Sequence, residues 1–205
     1  MLELWYAAEE KKIKLLPLNG RADLDHPVFG VGNESNPPIM FIGEAPGKDE
    51  AAQGRPFVGK AGKQLDEMLM LAGIDRSEVF VTNAVKYRPY REKNGRYSNR
   101  TPSPDEVMEG LQLLNREISL VSPSVIATLG NTPLHAVIML ARGLIKPPTV
   151  GEVHGKPFSI FINGSQRTVF PLYHPAASIY NRELRPVLEN DLKRLGEFVR
   201  SFGRD

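Results

Sequence analysis

Cysteine is absent from the whole chain. That excludes disulfides, thiolate-bound zinc and thiolate-bound iron–sulfur centres, and it is compatible with a reducing cytosol. Long apolar runs are missing too, since nothing approaches the roughly 18 residues of a membrane span. The opening stretch "MLELWYAAEEKKIKLL" carries Glu3, Glu9 and Glu10 and makes a poor signal peptide. A soluble cytoplasmic protein with no membrane attachment is expected. Neither charge is in surplus: the formal net charge is +2, which alone argues little for nucleic acid. His26, His135 and His154 have no partner motif, and no metal constellation is visible, so neither metal nor cofactor is expected. No internal repeat or linker is apparent.

What is present is ordinary globular composition, 41% hydrophobic and 24% charged over 205 residues. That suits one domain, residues 1–205, with a core large enough to need no covalent staple. Residues 2 to 16 read as a short amphipathic helix ended by Pro17. "IMFIG" (39–43), "VFVTNAV" (79–85) and "SVIATLG" (124–130) are short apolar runs between turn residues, the signature of buried strands. A fourth core strand closes "FSIFINGSQRTVFPLYH", with a hairpin at Asn163-Gly164. Helices are expected at about 60–72, stopped by Gly73, and from Ser103-Pro104-Asp105-Glu106, where a capping box is available. Thr132-Pro133 opens another, and the last repeats Leu188, Leu192, Leu195 and Val199 at helical spacing. Strands alternating with helices predict an α/β fold: a three-layer α/β/α sandwich around a short, mostly parallel four-stranded sheet.

In such folds ligands bind at the carboxyl ends of the strands. Four stretches should therefore converge: Gly43–Gly47, Asn83, Gly130–Thr132 and His174. A basic stretch, "KYRPYREKNGRYSNRTPS" (86–103), adds six cations against Glu92, with three tyrosines among them. It reads either as a polyanion-binding loop or as a solvated basic loop.

"GRPFVGKA" (54–61) looks at first like a phosphate-binding loop. The strand, however, ends near Gly43, eleven residues before Gly54, whereas a phosphate loop runs directly from strand into helix. Pro56 removes an N–H donor, and Ala61 offers no hydroxyl to magnesium. The loop that does follow the strand is "GEAPG" (43–47), with one carboxylate, Glu44, and a glycine-lined backbone. Taken with Phe57, Asn83 and His174, it offers a ring, an amide, an imidazole and a carboxylate. That set suits a planar polar ligand such as a nucleobase.

"GEAPG", "GRPFVGKAG", "VTNAVKYRP" and "HPAA", in this order from about residue 38 to the last helix, resemble the uracil-DNA glycosylase superfamily, closest to its family 4 type. The resemblance implies an α/β/α sandwich and a monomeric hydrolase. Its partner would be uracil-containing DNA, and cleavage of the N-glycosidic bond would start base excision repair. It also implies roles. Phe57 would stack on a flipped uracil and Asn83 would read its O4/N3 edge. His174 would donate to O2 as charge grows on the leaving base. Glu44, or the loop backbone around Ala45 and Pro46, would hold the attacking water, and Gly43, Ala45, Pro46 and Gly47 would line the substrate. Ile179 and Tyr180 would wedge the duplex, Arg182 and Arg185 would meet phosphates, and Lys86 and Arg88 of the basic stretch would bind DNA. Two features depart from the pattern. Family 4 carries four cysteines around a [4Fe-4S] cluster; here the one expected before "RPP" is Tyr87, and the N-terminal pair is missing. Apolar packing by Trp5, Tyr6 and Tyr87 is expected instead. The catalytic Asp of the "GQDPYH" type is replaced by Ala45, and the tyrosine that excludes thymine by Gly47. Besides an active glycosylase, a non-catalytic nucleic-acid-binding relative of the same fold fits these residues. A nucleotide-binding enzyme using Gly59-Lys60, or a glycosylase for another deaminated base, fits less of them.

Overall fold

The computed structural model describes residues 2–17, 22–141 and 146–202. In chain order the elements are α1 (Leu2–Ile13), β1 (Ala22–Asp23), β2 (Val31–Gly32), β3 (Ile39–Gly43), α2 (Lys48–Gln53), α3 (Lys60–Ala72), β4 (Phe80–Asn83), β5 (Arg88–Lys93), β6 (Arg96–Asn99) and α4 (Pro104–Val121). They continue with β7 (Val125–Leu129), α5 (Asn131–Ala141), α6 (Val150–Val153), β8 (Phe158–Ile162), β9 (Ser165–Leu172), α7 (Ala177–Tyr180) and α8 (Leu184–Phe202).

The main sheet has the order β2-β4-β3-β7-β9-β8. Its four inner strands pair in parallel, as expected from four apolar runs separated by helices. The expected four strands become six because β2 and β8 add antiparallel edges. β8 belongs to the anticipated hairpin: Asn163 and Gly164 both adopt positive φ (52° and 76°), as a two-residue turn requires.

Side chains alternate across β3 and build both cores at once. Ile39 and Phe41 face α3 and α8, packing with Leu65, Leu69, Leu188 and Leu192. Met40 and Ile42 face the opposite layer with Leu114 and Ile118 of α4 and Leu134 of α5. α4 starts where its capping box predicts: Ser103 Oγ accepts from Glu106 N, and Glu106 Oε2 accepts from Ser103 N at 2.7 Å. The Glu106 carboxylate also takes two bonds from Arg100, fixing the end of the basic segment to the helix.

That basic segment is not a loop. It forms an antiparallel hairpin, β5–β6, with β1 as a third strand. Its turn is Asn94-Gly95, both at positive φ. This is the same signal recognised at Asn163-Gly164, masked here by charged rather than apolar flanks.

A third cluster joins Ile13, Ala22, Val85 and Tyr87, with Leu16, Leu24, Phe29, Val107 and Leu113 against it. Of the three aromatics expected to replace the family's cysteines, Tyr87 lies here. Trp5 and Tyr6 pack on the opposite-face core instead. The Tyr87 hydroxyl is buried without a hydrogen-bond partner among the described residues, and burial pushes its pKa up. An unsatisfied buried hydroxyl costs about 1–3 kcal/mol. Tyr87→Phe should therefore be neutral or raise stability by about 1 kcal/mol in urea unfolding, and a loss above that size would show that the hydroxyl has a partner in solution.

Candidate active site

The carboxyl ends of the parallel strands bring the expected stretches together. Gly43 at the end of β3 stands in register beside Asn83 at the end of β4, and His174 follows β9. A cavity of about 360 Å3 opens there. Its walls include Ala45, Gly47, Phe57, Asn83, His174, Ile179 and Tyr180, all expected, together with Lys48, Asp49, Glu50, Lys60 and Asn99.

Phe57 is held over this cavity by backbone chemistry. Its φ is +56°, a conformation that costs a non-glycine residue energy and clusters at functional sites. Three neighbours compensate. A Cβ at Gly43 would collide with the Phe57 ring and the Asn83 amide oxygen, and one at Gly62 would collide with the Phe57 carbonyl. Glycine at both positions lets β3 and α3 approach the ring. Glu50 then ties the loops together, accepting from Gly47 N at 3.1 Å, Val58 N at 3.1 Å and Gly59 N at 2.8 Å. The Val58 and Gly59 amides that lead into α3 are thus already occupied by a carboxylate. The glycines of "GRPFVGKAG" serve the ring rather than a phosphate.

His174 lies with its ring centroid 6.3 Å from that of Phe57. The Ala176 N–H donates to its Nδ1 at 3.1 Å, so Nδ1 is an acceptor and the neutral ring carries its proton on Nε2. Burial lowers the pKa of His174, against the pull of Glu50. The result is a neutral imidazole with a fixed donor.

Asn83 is buried, and the segment after β4 is pinned from inside. Lys86 Nζ donates to Asn83 O at 2.6 Å and to Thr82 Oγ1 at 2.7 Å, and pairs with Glu117. Lys86 is 0% exposed. The expectation that it meets DNA is therefore corrected: its ammonium faces the core, where the buried Glu117 carboxylate supplies the counter-charge that burial requires. Arg88 is 9% exposed, and its Nε donates to Asn99 Oδ1.

The remaining expected residues separate. Glu44 is not part of the cavity wall; its carboxylate accepts from Thr132 Oγ1 at 2.6 Å. Pro46 is buried and is not part of the cavity wall. Ile179 and Tyr180 are exposed at the rim, Tyr180 to 89%. Arg182 is exposed, whereas Arg185 pairs with Glu189 and approaches Glu67. Asp49 and Glu50 were missed by the sequence reading. Their position in the first turn of a helix directly after "GEAPG" was the available signal, but α2 has only six residues and no apolar periodicity.

A model of the uracil DNA glycosylase superfamily matches residues 29–196. The chain belongs to the uracil-DNA glycosylase superfamily. It is similar to the type-4 uracil-DNA glycosylase of Saccharolobus solfataricus, 42% identical over 176 residues, covering 85% of this chain and 76% of that one. The type-4 uracil-DNA glycosylases of Archaeoglobus fulgidus and Thermotoga maritima are 40% and 36% identical, covering 83% and 86% of this chain and 80% and 84% of theirs.

The iron–sulfur cluster that family 4 implies does not fit this chain. Thiolates are its ligands, and the chain has none. Where Tyr87 stands the structure is filled with hydrocarbon, and among the described residues no group of three or more His, Asp or Glu could hold a metal ion.

The lowered His174 pKa has a testable sign. Folding disfavours the protonated ring, so the stability linked to His174 is complete above the unfolded value of about 6.5 and is lost as pH falls through the lowered folded pKa. A proton–nitrogen NMR titration should place its midpoint below 6.5, with Nδ1 unprotonated at neutral pH. His174→Gln should flatten the acid limb of stability against pH, and an unchanged limb would contradict the assignment.

Proposed function

We propose that the protein hydrolyses the N-glycosidic bond of uracil in DNA, using the cavity between Phe57, Asn83 and His174. The observation that carries the reading is their convergence: a ring on a strained backbone, an amide and a neutral imidazole donor face one space at the strand ends. A flipped base would stack on Phe57 while the Asn83 amide reads its edge. Cytosine presents an amino donor where uracil presents O4, so one amide orientation favours uracil.

Bond cleavage passes through an oxocarbenium-like sugar with an anionic leaving base. A donor aimed at the base oxygen therefore stabilises the transition state more than the ground state. His174 can supply that donor from Nε2 without being a cation. Of the nearby carboxylates, Glu44 is bound to Thr132 and Glu50 to three amides. Asp49 lines the cavity with no ion pair among the described residues, so it is the group placed to orient the attacking water, with Glu44 fixing the loop. Ile179 and Tyr180 fill the gap left in the duplex, and Arg182 meets phosphate.

The test is release of uracil from an oligonucleotide, read as alkali-sensitive strand breaks. His174→Ala and Asn83→Ala should each slow it by about 10²–10³, and Asp49→Asn should slow it more than Glu44→Gln. DNA binding that falls steeply with salt but releases no base would instead favour the non-catalytic relative.

A further inference from the structure

A second cavity, of about 570 Å3, lies beside the first and has no role in the reading above. The two share Lys48 in their walls, and Arg88, which lines the second, bonds Asn99, which lines the first. The cavity lies in the range of roughly 300–1,000 Å3 typical of ligand sites.

Its chemistry is specific. Arg88 is nine-tenths buried, yet has no carboxylate partner among the described residues. Asp23, its neighbour across the strand pair, is engaged with His26. Buried guanidinium groups ordinarily have a counter-charge, so this one is a standing demand for an anion. Beside it is an aromatic pair: Tyr90 packs edge-on to Tyr97 at 5.2 Å, with the Arg88 guanidinium 5.8 Å from the Tyr90 ring. Tyr97 is 60% exposed, leaving ring surface for a partner.

We propose that this cavity is a subsite for a nucleotide adjoining the flipped one on the same DNA strand, its phosphate on Arg88 and Lys48 and its base against Tyr97. The inference rests on the glycosylase reading for the identity of the strand. Charge favours a strand nucleotide over a free one. Lys14, Lys48 and Arg88 against Asp23 and Asp25 give the wall a net charge of +1, matching a single phosphodiester rather than a polyphosphate. Arginine with stacked aromatics is the usual means of holding single-stranded nucleic acid without reading its sequence.

The experiment measures uracil release from single-stranded oligonucleotides extended one nucleotide at a time on either side of the uracil. In parallel, fluorescence anisotropy measures binding of uracil-free strands of the same lengths. Extension on one side only should lower KM by about tenfold. Tyr97→Ala should abolish that gain while leaving kcat on the shortest substrate unchanged. Arg88→Gln should reduce the slope of log affinity against log salt by about 0.7. Circular dichroism melting identifies any variant that fails to fold. If uracil is released but extension gives the same gain in wild type and Tyr97→Ala, the subsite is wrong and the glycosylase reading stands. If no uracil is released but uracil-free strands bind through Tyr97, the subsite stands and the glycosylase reading falls. Competition by free dTMP with no gain from extension would overturn the strand assignment.

Discussion

The Glu117 carboxylate is the point on which the site's architecture turns. It stands on α4, wholly buried, and receives Tyr6 from α1, Thr82 from β4, the Gly30 amide and the Lys86 ammonium. Removing two charges from water costs several kcal/mol per ion, recovered only when the hydrogen-bonding capacity is filled. Here it is filled on both partners. Apolar residues of the same volume often serve stability as well as such a pair; what the pair fixes is geometry. Lys86 cannot satisfy its own donors without holding the Asn83 carbonyl and the Thr82 hydroxyl, so the backbone at the end of β4, from which the Asn83 side chain projects, is held in one arrangement.

Phe57 is fixed by a different device. Its backbone strain is offset by a glycine beneath the ring, a glycine beneath its carbonyl and Glu50 bonded to the following two amides. The two devices meet at Gly43, where any side chain would touch both Phe57 and Asn83. A binding face made of one ring on a strained backbone and one buried amide needs such support from behind, so that both are in place before a ligand arrives.

Much of this was legible in the sequence, and the misses share a cause. The four parallel strands were readable because burial on both faces makes them continuous apolar runs, and α4 because Ser103 and Glu106 form a capping box. The convergence of Phe57, Asn83 and His174 followed from topology and from the motifs. The β5–β6 hairpin was hidden because its side chains are charged and solvated, so Asn94-Gly95 had no apolar flanks to mark it. Lys86 was misassigned because a lysine in a basic stretch gives no sign of a buried glutamate 31 positions later. Asp49 and Glu50 were missed because a six-residue helix has too few turns to show a period.

The absence of cysteine and the presence of the hairpin are best understood together. A metal cluster would fasten the segment after Asn83 to the N-terminal helix. Here Tyr87 packs on Ile13 and Ala22, and β1 pairs with β5 through Ala22–Pro89 and Asp23–Arg88. Strand pairing therefore makes the same connection with backbone hydrogen bonds and apolar area. The hairpin that supplies β5 also carries Tyr90 and Tyr97 to the border of the candidate site. The hairpin thus ties the N-terminal segment through β5 and sets Tyr90 of β5 and Tyr97 of β6 in the wall of the second cavity.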